Sequence, residues 1–385
     1  MAPMVNSDRL TRRTENSLPN NRTLAYLLVV ALAGTACATR GSSAAIAGSG
    51  TVARRVVSGI KGPAGFTFLQ DGRIIYLERG TGEIHIYNPM RRTDQRFFTV
   101  PGVNGDGERG ALGVAVAPSW PTPRALYVYV TRSSSGGLSN QIVKVTRAAG
   151  AVSMRVLLST PASSTSIHNG GRIAFGPDGM LYAIVGDGAD SANAQDLSAN
   201  LRGKILRLTP NGGVPSDNPI PGSRIYAFGV RNSYGFTFDP ITDRLWETEN
   251  GPECNDEINL IVGGGNFGWG PQENCQGQPP GDTNGSGPSP RYGPKLWFEG
   301  TIAITGTAFC YGCGLTDAVE SDLFFGCVND GVLRYVSLNG ARDDVAGSAV
   351  EVLNSPNGAI YSMETGPDGR IYFSDYQGIY LLARA

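Results

Sequence analysis

The sequence predicts an all-β fold, specifically a six-bladed β-propeller made of four-stranded antiparallel blades. A strand, turn and strand pattern recurs along the chain, and 53 glycines and 24 prolines supply residues for turns. The 3.6-residue periodicity of helices is almost absent. A pair of β-sandwiches is the structural alternative, but it explains the repeated turn motif less well.

Five stretches share one plan, in which a short apolar strand, a Pro/Asp/Gly turn and an aliphatic-aromatic strand form an antiparallel hairpin. In chain order they are Gly62–Tyr87, Gly110–Val130, Gly170–Gly188, Asn232–Gly251 and Tyr361–Leu382. A further strand closes several of these units, as in "GKILRLT" and "GVLRYVSL". Each unit therefore predicts one blade.

A degenerate sixth unit fits between Thr301 and Leu338, where "IAITGTAFC" and "SDLFFGCV" are the strand candidates. The strand "ARRVVSGI" near the start is expected to pair into the last blade and close the ring, because an open ring would leave an unpaired sheet edge. The segment Gln272–Lys295 is rich in Gly, Pro and polar residues. We expect it to be an inter-blade loop rather than a domain boundary.

The chain opens with an arginine-bearing leader. The apolar run "LAYLLVVALAG" and then small residues follow it, which is the pattern of an export signal. The run is too short for a comfortable transmembrane span. We expect residues 1–38 to be a signal peptide cleaved near Ala38, with lipid attachment at Cys37 as the alternative. Residues 39–51 would then be a flexible linker and residues 52–385 the propeller, in the periplasm or outside the cell.

The charge pattern limits the partners. The net charge is −1, with acids and bases mixed along the chain. This balance argues against nucleic acid or an anionic membrane surface as partner. A small neutral ligand fits better.

Five cysteines follow the leader, all in the C-terminal half: Cys254, Cys275, Cys310, Cys313 and Cys327. In an exported chain, clustered cysteines are more often disulfides than metal ligands, so we expect structural bridges with one cysteine left over. A Cys254–Cys275 bridge would pin the inter-blade loop. The Cys310-x-x-Cys313 pair alone is weak support for zinc, because no second pair or nearby histidine completes a site.

The candidate site residues are predicted to share one rim of the propeller. Residues before the first strand and after the second strand of a hairpin lie at the same end, so His168 and Asp187 share a rim, with the "PDGM" turn at the opposite end. The same geometry places seven further residues on that rim: Glu108, Arg109, Arg231, Asn232, Glu249, Asp256 and Glu257.

His168 is one of only two histidines in the chain. It is a candidate general base, because imidazole titrates near neutral pH and a carboxylate such as Asp187 would hold its tautomer. The alternative is a loop histidine that is hydrogen-bonded to the backbone. His85, in the strand "EIHIY", is expected to be structural.

The other rim residues also allow two interpretations. Arg231 and Asn232 would orient a polar ligand through fixed donors, or Arg231 would form a rim salt bridge with Glu249 or Asp256. Asp256 and Glu257, beside a Gly-Pro turn with available carbonyls, offer the hard oxygens that calcium requires. Exposed loop carboxylates are common, so ordinary surface acids are the alternative.

Three long motifs resemble the glucose/sorbosone dehydrogenase family, which includes soluble sugar dehydrogenases dependent on pyrroloquinoline quinone (PQQ). They are "HNGGRIAFGPDGMLYAIVGDG", "LRGKILRLTPNGGVPSDNPIPGSRIYAFGVRNSYGFTFDP" and "ENGPECNDEINLIVGGGNFGWG". The likeness runs from about Val56 to the C-terminus, strongest from Gly105 to Gly270. The fold of that family, a six-bladed propeller, agrees with the repeat count.

The resemblance implies roles for the rim residues. His168 matches the base that takes the proton of the anomeric hydroxyl while hydride passes to the quinone. Asp187 matches its acidic partner. Arg231 and Asn232 match the pair that faces the quinone.

The resemblance also implies two calcium sites. The carbonyls of Gly251 and Pro252 match the ligands of the calcium that polarises the cofactor. Glu257 matches a carboxylate ligand of a second, structural calcium. Phe267 stands where the family often has tyrosine, and a carbonyl ligand would survive that change.

Some residues depart from the family pattern. Glu108 replaces a glutamine at the cofactor site and would repel an anionic cofactor. Asn329 and Asp330 stand where relatives bring a lysine to the quinone carboxylates, and the late arginines have no counterpart in "PNGAIYSMETGPDG". Each lost charged hydrogen bond would remove roughly 1.5–3 kcal/mol of binding.

The resemblance therefore implies an exported quinoprotein that oxidises a small aldose and passes electrons to an external acceptor, as a monomer or homodimer. A non-catalytic propeller that binds a protein or glycan, like the hedgehog-interacting relatives of the family, is the alternative that the missing cations favour. A calcium-dependent lactonase ranks third, because only Asp187, Asn232 and Asp256 are plausible contributors to its central ring of ligands.

Overall fold

The computed structural model describes residues 50–272, 275 and 284–385 of the chain. The predicted signal peptide (1–38) with Cys37, most of the predicted linker and the middle of the predicted inter-blade loop lie outside the described residues. The expectations for those segments therefore stay predictions. Among the described residues, no helix is long and apolar enough to cross a membrane.

Within these residues, the strands form six four-stranded antiparallel sheets, which confirms the predicted propeller. Blade one contains β2 (Phe66–Phe68), β3 (Ile74–Leu77), β4 (Glu83–Asn88) and β5 (Thr93–Thr99). Blade two contains β6 (Ala111–Val116), β7 (Arg124–Ser134), β8 (Gly137–Ala148) and β9 (Ala151–Pro161). Blade three contains β10 (Ile173–Phe175), β11 (Leu181–Val185), β12 (Lys204–Leu208) and β13 (Ile225–Phe228).

The second half of the ring follows the same order. Blade four contains β14 (Asn232–Phe238), β15 (Leu245–Asn250), β16 (Asp256–Ile261) and β17 (Leu296–Phe298). Blade five contains β18 (Ile304–Phe309), β19 (Leu323–Cys327), β20 (Val332–Val336) and β21 (Val350–Asn354). Blade six contains β22 (Ser362–Thr365), β23 (Ile371–Ser374), β24 (Gly378–Arg384) and β1 (Thr51–Ser58), which comes from the other end of the described chain.

The pairing of β1 with β24 closes the ring. The two strands run antiparallel, with Thr51 opposite Arg384 at one end and Ser58 opposite Gly378 at the other. This confirms the role expected of "ARRVVSGI". The degenerate unit after Thr301 likewise forms the inner strands of blade five.

Blade three illustrates why the repeated motif makes a hairpin. Gly179 in the turn has φ +75°, which glycine adopts without a steric penalty. Asp178 Oδ1 accepts the Met180 N–H at 3.0 Å, and the Gly176 N–H donates to Met180 O at 2.9 Å. The turn therefore reverses the chain, and β10 and β11 begin and end at the same rim.

Helices are nearly absent from the described ranges, as the sequence predicts. They comprise a single α-helical turn, α1 (Ala192–Gln195), and a 3₁₀ turn at Asp317–Val319.

Apolar side chains fill the space between neighbouring blades. Ile184 and Ile205 of blade three pack with Phe236, Leu245 and Ile261 of blade four, and all five are buried. Burying such side chains contributes about 1.5–3 kcal/mol each before the entropy cost of ordering them. This packing holds the rim loops of blades three and four beside each other.

The cysteines follow the expected pattern. Cys254 is bonded to Cys275 and Cys310 to Cys313, while Cys327 is buried with a free thiol. The first bridge ties the loop between β15 and β16 to the segment after β16. It therefore restrains the loop that carries Gly251 and Pro252.

Two glycines mark places where inner strands approach too closely for a side chain. A Cβ on Gly235 of β14 would overlap the carbonyl oxygen of Thr305 in β18, and one on Gly113 of β6 would overlap the carbonyl oxygen of Gly171. In both cases the obstacle is backbone, which moves only if the neighbouring blade moves.

We therefore expect Gly235→Ala to destabilise the propeller by about 1–3 kcal/mol through overpacking. Gly340→Ala is the matched control, because a Cβ there meets no atom within 4 Å. Urea unfolding of both variants measures the difference. Equal stability of the two variants would contradict the close approach of blades four and five.

Candidate functional site

His168 and Asp187 lie together at the rim where β10 begins and β11 ends. His168 Nδ1 is 2.7 Å from Asp187 Oδ1, and the two side chains are only 9% and 2% exposed. The hairpin geometry expected from the sequence thus brings the two residues into direct contact.

The Asp187 carboxylate orients the imidazole. It accepts hydrogen bonds from His168 Nδ1, from the Ala189 N–H at 2.8 Å and from Trp269 Nε1 at 2.9 Å. Because an ionised carboxylate only accepts, Nδ1 must carry the proton, and neutral His168 keeps its lone pair on Nε2. Nε2 has no hydrogen-bond partner among the described side chains and backbone groups.

The backbone of His168 is also held in an unusual conformation. Its φ is +56°, in the left-handed region that costs a non-glycine residue on the order of 1 kcal/mol. Its N–H donates to Glu108 Oε2 at 2.7 Å, and its carbonyl accepts from the Gly188 N–H at 3.1 Å. These contacts fix where the imidazole enters the rim.

Glu108 connects three blades at this point. Its Oε2 accepts both the His168 N–H and Asn232 Nδ2, the latter at 3.2 Å. Burial and the neighbouring Glu108 carboxylate raise the pKa of Tyr234 well above its ordinary value. Glu108 therefore lies beside His168 and Asn232, with which the sequence groups it on one rim.

Arg231 links the base pair to blade four. Its guanidinium lies 5.3 Å from the centre of the Trp269 ring and donates to Asn250 O at 2.8 Å. Its N–H donates to Glu249 Oε1 at 2.8 Å, and its carbonyl accepts the Asp187 N–H at 2.7 Å. Arg231 thus contacts Glu249 through its backbone N–H, while its guanidinium lies over an aromatic ring.

The turn at Gly251 and Pro252 is held by Asp256. The Gly251 N–H donates to Asp256 Oδ1 at 2.9 Å, and the Ala303 N–H donates to Oδ2 at 2.6 Å. Burial raises the pKa of Asp256 to about 6. No described residue donates a backbone hydrogen bond to the carbonyl oxygens of Gly251 or Pro252.

Glu257 and Phe267 meet at Asn284. Asn284 Nδ2 is 2.7 Å from Phe267 O and 3.5 Å from Glu257 Oε2. The carboxylate of Glu257 and the carbonyl of Phe267, both candidate metal ligands, therefore lie near the same amide group. Phe267 is buried and stacks on Tyr292, so its backbone position is well restrained.

A row of buried acids lies beside this pair on β15 and β16. Glu249 is opposite Glu257, and Glu247 is opposite Asn259, which donates to both Glu247 and Glu257. Burial raises the pKa of Glu247 to about 7 and that of Glu249 well above its usual range. Burial therefore disfavours the ionised form of these carboxyls, and a cation in the same volume would favour it.

Arginines supply positive charge around the channel mouth. Arg79 donates to carbonyls of the loop 105–109, and Arg109 donates to Ser163 O. Neither guanidinium forms an ion pair with a carboxylate in the described part of the chain. Their contacts among these residues are with main-chain carbonyls instead.

Arg172 crosses the channel and joins three other blades. Its guanidinium donates to Tyr234 O and Tyr361 O, each at 3.1 Å, and to Ala64 O at 3.4 Å. Glu364 of β22 lies in the same channel. Burial raises the pKa of Glu364 to about 7, and the Arg172 charge opposes that rise.

The resemblance implies a cofactor-binding lysine in relatives at the place of Asn329 and Asp330. Neither of these two residues carries a positive charge. Asn329 Nδ2 donates to Thr301 O at 2.9 Å. Asp330 pairs with Arg334 at 2.8 Å, so the nearest cation is already engaged by an acid.

Other metal and ligand features lie away from this rim. Among the described residues, the three metal-ligating side chains whose ligand atoms are mutually close are Cys310, Cys313 and Glu320. The two sulfurs form a disulfide, which removes them as ligands. A surface cavity between Phe68 and Tyr372 lies at the opposite rim, where the strand-connecting turns of blades one and six meet.

Comparison with known proteins identifies the family of the chain. Residues 60–380 match the family model described as Glucose / Sorbosone dehydrogenase. The chain is 29% identical to the aldose sugar dehydrogenase YliI of Escherichia coli K12 over 323 residues, covering 80% of this chain and 86% of that protein. It is 31% identical to quinoprotein glucose dehydrogenase B of Acinetobacter calcoaceticus over 245 residues, covering 56% and 51% of the two chains.

A solved structure supports the same relation. The PQQ-bound aldose sugar dehydrogenase of Streptomyces coelicolor superposes with a TM-score of 0.72 at 27% identity, covering 86% of this chain and 98% of that one.

The sequence does not identify Trp269 and Asn193 as site residues, although both contact Asp187. Trp269 binds the Asp187 carboxylate across 82 residues of sequence, and Asn193 Nδ2 donates to Asp187 O at 2.7 Å. Trp269 stands in the quoted "NFGWG" motif, but its spacing from Asp187 carries no signal. Only the packing of blade three on blade four brings them together.

Glu364 generates a pH-dependent prediction. Its pKa is about 7 when folded against 4.5 for an ordinary glutamate, so the folded state keeps a proton that the unfolded state releases. Stability contributed by this proton is present below about pH 4.5 and is lost as pH rises through 7. Glu364→Gln should therefore match the wild type near about pH 4 and exceed it by on the order of 1–3 kcal/mol near about pH 8.

Urea unfolding at both pH values measures this difference, with Glu299→Gln on the exposed surface as control. A gain that is the same at both pH values would mean that Glu364 is ionised in the folded channel.

Proposed function

We propose that this chain, which belongs to the glucose/sorbosone dehydrogenase family, oxidises the anomeric carbon of an aldose with PQQ as cofactor and calcium as its metal. One observation carries the proposal: Asp187 fixes the His168 ring so that Nε2 is left as an acceptor at the channel rim. The names of the E. coli, A. calcoaceticus and S. coelicolor relatives support the reaction class.

The residues fit calcium at two places. The Gly251 and Pro252 carbonyls receive no backbone hydrogen bond from the described chain, and their turn is braced by Asp256. Glu257 Oε2 and Phe267 O approach one another around Asn284. Oxygen donors of this kind suit a hard cation. We assign the first pair to the metal beside the cofactor and the second to a structural metal.

The charge around the rim fits an anionic cofactor. Arg79 and Arg109 form no ion pair with a carboxylate within the described ranges, and the Arg231 guanidinium lies over the Trp269 ring. Such a cluster attracts a polycarboxylate over several ångströms. These arginines would take over part of the role left by Asn329 and Asp330, and Arg231 with Asn232 would face the cofactor.

Oxidation of an aldose at C1 removes one proton and one hydride and yields a lactone. His168 Nε2 takes the proton from the anomeric hydroxyl, and Asp187 stabilises the resulting imidazolium through Nδ1. Bound PQQ would accept the hydride as a two-electron oxidant, with calcium polarising its carbonyl. The Trp269 N–H keeps the Asp187 carboxylate in place during the proton transfer.

Asn232 and Glu108 would position the substrate and cofactor rather than move protons. Asn232 Nδ2 is engaged by Glu108, which also holds the His168 backbone. A change at Glu108 therefore alters the placement of the base as well as the local charge.

A non-catalytic propeller that binds a protein or glycan is the second candidate. The observation in its favour is that Asp330 pairs with Arg334 where a cofactor-binding cation would be expected. It would retain the rim as a docking surface without turnover. The calcium-dependent lactonase is a weaker third candidate, because Asp187 is committed to His168 and Asp256 to backbone donors.

We further propose that the chain acts after export, in the periplasm or outside the cell, on a small sugar and with an external electron acceptor. The arginine-bearing leader and the two disulfides support export.

Replacing the base tests the proposed reaction. His168→Asn should lower kcat for aldose oxidation by about 10²–10⁴-fold, because general-base catalysis is lost while the fold is kept. Reduction of an artificial acceptor across a panel of aldoses measures the rate after PQQ and calcium are added. His85→Gln is the control histidine variant. Unchanged turnover in His168→Asn would show that His168 is not the general base.

Charge at Glu108 gives a separate prediction. Glu108→Gln should tighten PQQ binding by about 5–30-fold, because it removes a negative charge near an anionic ligand while keeping an acceptor for His168 N–H. Calorimetric titration measures the change, with Asp106→Asn on the same loop as control. Weaker or equal binding would show that Glu108 does not face the cofactor.

A further inference from the structure

Lys204, at the start of β12, is wholly buried and its ammonium group is surrounded by main-chain oxygens. Nζ lies 2.6 Å from Asn193 O, 3.0 Å from Ala194 O and 2.8 Å from Arg202 O. Three N–H donors thus meet three carbonyls. Two of these carbonyls belong to α1, so the lysine fastens that single helical turn to blade three.

Holding a charge in this place has a cost. Burial lowers the pKa of Lys204 to about 7; the Asp196 carboxylate opposes this fall, and the Arg202 charge adds to it. An apolar side chain could fill the same space without the cost of burying a charge. The presence of Lys204 therefore indicates that its three hydrogen bonds have a role in the structure.

The turn that Lys204 fastens holds Asp187 by two routes. Asn193 Nδ2 donates to Asp187 O at 2.7 Å, which fixes the backbone of the aspartate. Gln195 Nε2 donates to Trp269 O at 2.6 Å, and Trp269 Nε1 in turn donates to Asp187 Oδ2 at 2.9 Å. Both routes start at α1 and end at Asp187, one at its main-chain carbonyl and the other at the carboxylate that orients His168.

We propose that Lys204 is a positioning residue, which anchors α1 and thereby sets the orientation of the Asp187 carboxylate and of the His168 ring. The role deepens the proposed function and rests on it only for the identity of the base. Lys204 touches neither Asp187 nor His168 through any described contact, so it acts through Asn193, Gln195 and Trp269.

The direct readout is the Nδ1 proton of His168 in the full chain labelled with ¹⁵N-histidine. With two histidines in the sequence, His85→Gln assigns the signals. In the wild type this proton should exchange slowly with water, because it is buried and bound to a carboxylate. Lys204→Met should accelerate its exchange about tenfold or more, while the control Lys144→Met, in blade two, leaves it unchanged.

Activity supplies a second readout. Lys204→Met should lower kcat for sugar oxidation about tenfold with little change in KM, because the base is misplaced and the sugar contacts are intact. In an Asp187→Ala background, Lys204→Met should have no further effect on kcat, since the group that it positions is gone. An additive effect would mean that Lys204 acts independently of Asp187.

Asn193→Ala covers the case in which Lys204→Met does not fold. It keeps the buried lysine and cuts one route to Asp187, so it should also speed exchange of the His168 proton. If the folded variants show lower thermal stability but unchanged proton exchange and kcat, Lys204 is only a structural anchor and the proposal is wrong. If the wild type oxidises no sugar but the exchange responds, the positioning stands and the proposed function fails.

Discussion

Closure of the ring is the constraint on which the rest of the structure depends. The pairing of β1 with β24 removes the free edge and sets the spacing of six inner strands around one channel. Loops from different blades then meet at one rim at distances that none of the blades sets alone. The contacts from Glu108 to His168 and Asn232 cross three blades in this way.

Much of the fold could be predicted from the sequence because local strand and turn patterns specify it. The turn at Asp178 and Gly179 repeats along the chain, and each repeat specifies one hairpin whose ends share a rim. The same rule predicts that His168 and Asp187 lie at one end. The family motifs added the expected roles of Arg231 and Glu257.

The contacts that orient the site could not be predicted in this way. Trp269 and Lys204 act on Asp187 through tertiary packing, and their sequence separation from it follows no period. The sequence also leaves open which group the Arg231 side chain contacts. In the structure its guanidinium lies over the Trp269 ring, which comes from a distant part of the sequence. Such contacts depend on side-chain packing between blades, which hydrophobic pattern does not specify.

The central claim is that the rim formed by His168, Asp187, Arg231 and the Gly251–Pro252 turn is a working quinone site. The most direct test is a calorimetric titration of the purified chain with PQQ in millimolar calcium, followed by addition of aldoses while the cofactor absorbance is recorded. The account predicts saturable, calcium-dependent binding and sugar-dependent reduction. No binding, in a protein that calcium still stabilises against unfolding, would contradict it and favour a propeller that kept the rim for docking a partner.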